Sequence, residues 1–79
     1  MPSAFVLVNT ETGSEQQVMA AIKEMQNLEV YQVNGVYDLI TKIQGETVEK
    51  IRDTITSMKR NFPQIHETLT MLIREDRKT

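Results

Sequence analysis

Apolar residues along the chain fall into short runs and periodic stripes separated by polar breaks. The first run, Ala4-Phe5-Val6-Leu7-Val8, is apolar at both parities. Such a run suits a central strand buried on both faces. Its shortness, and the polar stretch over residues 9–13 that follows, favour a strand over a buried helix. Gly13-Ser14-Glu15 then opens a helical pattern. Val18, Ala21, Ile22 and Met25 recur at i, i+3, i+4 and i+7, which predicts a helix over residues 14–25. Gly13 or Ser14 can serve as its N-cap, and Glu15 places negative charge in the first turn, where the helix dipole favours it.

Residues 28–33 carry Val30, Tyr31 and Val33, and residues 36–43 follow with Val36, Tyr37, Leu39, Ile40 and Ile43. Asn34-Gly35 between them predicts a hairpin closed by a type I′ turn, which needs positive φ at both central positions. Gly45 breaks the second run and Thr47 is the candidate N-cap of a second helix. Val48, Ile51, Ile55 and Met58 lie on one face of it, and Lys59 and Arg60 suit its C-terminal dipole. Pro63 cannot continue a helix. The last run, residues 65–73, alternates: Ile65, Leu69, Met71 and Ile73 share one parity with Glu67, and His66, Thr68, Thr70 and Leu72 take the other. Residues 74–79 read as a solvated polar tail of a single domain spanning 1–79.

The order is β-α-β-β-α-β. Two helices divided between the faces of a four-stranded antiparallel sheet would cover each face badly, so both should pack on one side. That arrangement is an α+β, ferredoxin-like fold. It leaves one sheet face open, yet 4–8 points apolar side chains both ways and Ile40 lies opposite in parity to Leu39 and Ile43. An apolar face of that size is unusual for a monomer. A second copy covering it, in a two-fold dimeric α/β sandwich, is the simplest resolution.

Size and composition point the same way. At 79 residues the chain falls in the range where a core alone supplies little stability and a disulfide, a metal or a partner chain usually helps. With no cysteine, disulfides, thiolate zinc sites and cysteine nucleophiles are excluded, and the single His66 excludes a histidine cage within one chain. Self-association remains. The net charge of −2 shows no basic excess for a phosphate backbone, and residues 36–43 lack the aromatic RNP1 pattern of an RNA-recognition strand. No direct nucleic-acid partner is therefore expected. No apolar run is long enough to span a bilayer, and Met1-Pro2-Ser3-Ala4 lacks the basic region of a secretory signal. The expected compartment is the cytoplasm, without a membrane or cofactor.

Little catalytic chemistry is visible. His66 stands alone on a predicted strand and has a structural reading. Asp38 and Glu67 are the acids within predicted strands, and nothing in their spacing brings them together. Asp38, three residues past a tight turn, either bonds turn amides or anchors an amino group. Gly35 either supplies positive φ or lets a ligand approach backbone N–H groups. Thr68 and Thr70 share one strand face and can hydrogen-bond a small polar ligand, although threonine is common in strands. The methionines read as core filler.

Taken together, residues 4–13, the run Val30-Tyr31-Gln32-Val33-Asn34-Gly35-Val36-Tyr37-Asp38-Leu39-Ile40 and the run Glu67-Thr68-Leu69-Thr70 resemble the effector domain of leucine-responsive (Lrp/AsnC) transcriptional regulators. That domain is called RAM, for regulation of amino-acid metabolism. The resemblance covers nearly the whole chain and is most specific at Gly-x-Tyr-Asp-Leu and Thr-x-Thr. It implies a non-enzymatic domain whose homodimers gather into rings, commonly octamers, with small amino-acid effectors held between dimers. By position, Asn34, Gly35, Tyr37 and Asp38 would form the turn side of the pocket and Thr68 and Thr70 would add hydroxyls. Asn34 stands where family members often carry threonine. With its first strand near Ser3, the chain is expected to be a stand-alone RAM protein without the family's helix-turn-helix. It would then influence transcription through assembly with itself or with the same-fold domain of a full-length regulator. Two rival readings are a small dimeric α+β barrel enzyme, such as a cofactor-free monooxygenase with His66 as base, and a pure assembly module.

Overall fold

The computed structural model describes residues 1–25 and 28–74. The elements are β1 (Ser3–Thr10), α1 (Glu15–Lys23), β2 (Leu28–Gln32), β3 (Leu39–Gln44), α2 (Val48–Asn61) and β4 (Ile65–Leu72). The strands form one antiparallel sheet in the order β2-β3-β1-β4. This is the expected ferredoxin-like arrangement, with the doubly apolar run, now β1, at its centre.

Register explains the burial. Ala4, Val6 and Val8 alternate with Phe5 and Leu7 along β1, and the even-numbered set is fully buried beneath the helices. Across the sheet, Ile43, Thr41 and Leu39 of β3 stand opposite Ala4, Val6 and Val8, and Val30 of β2 stands opposite Thr41. Val18 and Ile22 of α1 and Ile51 and Met58 of α2 complete this core. The helix stripes read from the sequence are thus the packed ones. Burial of each such aliphatic side chain contributes about 1.5–3 kcal/mol relative to exposure.

The opposite sheet face carries two transverse rows. One runs Tyr31–Ile40–Leu7–Leu69 and the other Glu29–Lys42–Phe5–Met71. Leu69 and Met71 are 45% and 46% exposed, and Tyr31 is 55% exposed. Leu69 and Met71, opposite Leu7 and Phe5, therefore face away from the helices, while Thr68, Thr70 and Leu72, opposite Val8, Val6 and Ala4, share the face of the buried β1 residues. The expected single apolar parity of the strand breaks at the register shift, which sets Ile65 opposite Thr10 and against the core. Because α1 lies against β2 and α2 lies over β1, this side of β4 is incompletely covered.

Several boundaries differ from expectation. The helix predicted over 14–25 occupies Glu15–Lys23; Ser14 takes the N-cap position without a side-chain hydrogen bond, and Gly13 turns the chain at φ 87°. Thr47 does cap α2, its Oγ1 accepting from the Lys50 N–H at 3.1 Å. The predicted two-residue turn at Asn34-Gly35 is replaced by a six-residue connection over 33–38. Gly35 lies at φ 159°, close to extended and far from the roughly +60° of left-handed backbone. The reason is that β3 begins only at Leu39, because Asp38 engages the end of β1 instead of extending the hairpin. Residues 75–79 of the expected tail lie outside the described residues, and Arg74 is exposed.

Thr41 is fully buried and its hydroxyl has no hydrogen-bond partner. An unsatisfied buried polar group costs about 1–3 kcal/mol. Thr41→Val should therefore raise stability by about 1 kcal/mol, a rise in Tm of about 4–8 °C for a domain of this size, measured by thermal circular dichroism. A lower Tm would show that the hydroxyl is satisfied in solution.

Candidate ligand-binding regions

The end of the sheet where β1 finishes and β3 starts holds most of the predicted site. The β1–β3 pairing ends at Val8–Leu39, so the N–H of Thr10 lies past the last rung. On the other side the β1–β4 register shifts, passing from Asn9–Glu67 to Thr10–Ile65 and skipping His66. Thr10 is nonetheless buried, and a buried N–H needs an acceptor. Asp38 supplies it: its Oδ2 accepts from the Thr10 N–H at 2.9 Å and from the Thr10 hydroxyl at 3.4 Å. The Asp38 backbone N–H donates to the Val8 carbonyl at 3.0 Å, and its carbonyl accepts from the Val33 N–H at 2.9 Å. Asp38 thereby pins both ends of the 33–38 connection and leaves Asn34, Gly35 and Val36 exposed, Val36 at 85%. Tyr37 is half-buried.

Thr68 stands at the same sheet end, in the transverse row Leu39–Val8–Thr68. Thr70 belongs to the next row inward, Thr41–Val6–Thr70, and lines a cleft of about 450 Å³ between α2 and β4 with Ile51, Arg52, Ile55, Thr56 and Leu72. The six predicted residues therefore divide: Asn34, Gly35, Tyr37 and Asp38 lie together on the 33–38 connection, Thr68 lies at the same sheet end but across β1 on β4, and Thr70 lies in a separate cleft. Arg52 and Thr56 were not singled out in the sequence. The available signal was their i, i+4 spacing beside the Ile51–Ile55 stripe. His66, the residue skipped by the β1–β4 register, is exposed. Among the described residues no group of His, Asp or Glu could hold a metal ion, and no helix is long and apolar enough to cross a membrane.

The family model for the Lrp/AsnC ligand binding domain matches residues 3–79. The chain belongs to that family. Its resemblance to solved structures covers whole small proteins as well as parts of larger ones. FFRP-DM1 is 37% identical with a TM-score of 0.88, over 94% of this chain and 100% of that one. The hypothetical protein PHS023 from Pyrococcus horikoshii is 35% identical with a TM-score of 0.87, over 96% and 93%. TTHA0845 from Thermus thermophilus is 30% identical with a TM-score of 0.89, over the full length of both chains. AsnC of E. coli shares the fold at a TM-score of 0.86 with 12% identity, and this chain spans 54% of its length. No curated protein matches.

Membership in a ligand-binding family gives the Asp38–Thr10 contact a consequence. If the carboxylate acts as an acceptor for the Thr10 amide, Asp38→Asn keeps the contact, because the amide oxygen can also accept. Asp38→Ala strands a buried N–H and should cost about 1–3 kcal/mol. Chemical denaturation should place the Asn variant close to the parent, within about 0.5 kcal/mol. Equal losses in both variants would show that the negative charge itself matters.

A second contact is titratable. The Tyr31 hydroxyl donates to Glu29 Oε1 at 3.0 Å, and this hydrogen bond, followed by the carboxylate charge, raises the Tyr31 pKa above its ordinary value. The folded state thus holds the phenolic proton more tightly than the unfolded chain. Its contribution is present below the ordinary tyrosine pKa and is lost as pH rises through the folded value. In a Tyr37→Phe background, Glu29→Gln should move the tyrosinate absorbance titration to lower pH; an unmoved curve would remove the contact.

Proposed function

We propose that this domain binds a small amino-acid effector and assembles with copies of itself through the open sheet face, as a non-enzymatic regulatory module. The observation that carries the reading is the face made by Phe5, Leu7, Ile40, Leu69 and Met71, presented by a domain of the Lrp/AsnC ligand-binding family. Rows of aliphatic and aromatic side chains across adjoining strands are suited to sheet-on-sheet packing. A two-fold arrangement closes such a patch on itself. Rings of dimers, commonly octamers in the resemblance, would bring the exposed 34–36 segment against neighbouring copies.

In this reading Asn34, Gly35 and Tyr37 contribute the loop side of the effector pocket and Thr68 a hydroxyl from the same sheet end, while Thr70 belongs to the separate α2–β4 cleft. Asp38 holds the loop and offers its remaining lone pairs to an ammonium group. Effector binding would act by favouring one assembly state over another. Assembly with the same-fold domain of a larger regulator would carry the effect to transcription, with the cytoplasm as the expected setting.

Light scattering should give a mass that is a multiple of 9.1 kDa. Leu7→Glu, in the middle of the open face, should reduce it to the single-chain mass while leaving the circular dichroism spectrum folded. A single-chain mass for the parent at high concentration would overturn the assembly. For the effector, an amino acid at ~100 times its Kd should add about 2.7 kcal/mol to stability, read as a rise in Tm. No shift with any common amino acid would leave the assembly module alone.

A further inference from the structure

The cleft between α2 and β4 has a chemistry of its own. Ile51 is buried at its base, Ile55 is half-buried, and Leu72 forms the β4 side. Arg52 and Thr56 stand one helical turn apart along α2, and Thr70 adds a second hydroxyl from the strand. Among the described residues the lining therefore combines three aliphatic side chains, two hydroxyls and one guanidinium, with no acid. Two other clefts among the described residues differ. One, around Gly45, sets Glu46 and Asp53 beside Lys50, and another, beside Leu28, sets Glu29 beside Lys42; in both, the base has an acid in the same lining. At about 450 Å³, the α2–β4 cleft falls within the size range of small-molecule sites.

We propose that this cleft binds a small aliphatic monocarboxylate without an amino group, of the branched 2-oxo acid class. The Arg52 guanidinium is a planar donor fork matched to a carboxylate. The Thr56 and Thr70 hydroxyls donate to the carboxylate or to the adjacent ketone oxygen. The branched alkyl end lies on Ile55 and Leu72. An α-amino group would meet no carboxylate among the described lining residues and would sit near a like charge on Arg52. Asp38, the acid assigned to an amino group, is not among the lining residues and already accepts from Thr10. The cleft holds Thr70, the one expected effector residue that lies apart from the others, so it extends that reading to a second ligand class.

The test is an amide-resolved NMR titration of the full chain with 4-methyl-2-oxopentanoate, with leucine and isopentylamine as parallel arms. The oxo acid should shift the amides of Arg52, Thr56, Thr70 and Leu72. Arg52→Gln should weaken binding by about tenfold or more, and Thr70→Val by less. Both positions are exposed, so the fold should survive, as the unchanged remainder of the spectrum would report. Leucine should bind this cleft at least about tenfold more weakly than the oxo acid, and the amine should leave it unmoved. A silent cleft, equal binding of the amine, or binding unaffected by Arg52→Gln would overturn the proposal. Leucine shifts at 34–38 and Thr68 with the cleft silent to the oxo acid would sink this inference and keep the effector reading. Oxo-acid shifts in the cleft with no response to any amino acid would do the reverse.

Discussion

Apolar side chains on both faces of β1 are the constraint around which the molecule is organised. A strand with Val6 and Val8 on one side and Phe5 and Leu7 on the other must lie inside a sheet, with strands on both edges. β3 and β4 take those two edges, and β2 extends the sheet beyond β3. The helices can cover only one face, because each presents a single apolar stripe and both stripes converge on Val6, Val8, Leu39 and Ile43. The other apolar face is left as a by-product of making β1 central, and its continuation onto Ile40, Leu69 and Met71 makes it a surface rather than an isolated residue. The fold and its open apolar face are thus two consequences of one five-residue run.

The end of β1 shows how an exposed connection is held in place without regular structure. The strand outlasts its partner β3 and shifts register against β4, leaving the Thr10 amide without a rung. One carboxylate answers that need, and in doing so it anchors the 33–38 connection. The loop over 33–38 is therefore hydrogen-bonded at its ends and exposed at Asn34, Gly35 and Val36. The same economy governs β4. Since α2 leans over β1 rather than the edge, Thr70 and Leu72 meet Arg52 across a cleft instead of being packed under the helix.

Legibility was uneven for reasons that can be traced to particular residues. The i, i+3, i+4 stripes of both helices and the cap at Thr47 are local signals with a local cause, and they hold in the folded chain. The Asn34-Gly35 turn is also a local signal, but the Asp38–Thr10 contact joins positions 28 residues apart and outweighs it. Thr70 and Thr68, two residues apart on one strand, look like one site in sequence. One transverse row of the sheet separates them, and α2 gives Thr70 different company.

By itself, then, the sequence determined the element order, the helix faces, the central place of the first strand and the family, because each is written in near-neighbour spacing or in ordered motifs. Tertiary structure alone decided where β3 starts, which acceptor the Thr10 amide uses and which side chains share the cleft with Thr70. Those outcomes depend on register and on how a helix leans across a twisted sheet. Contacts of that kind arise between distant segments and leave no periodicity in the chain.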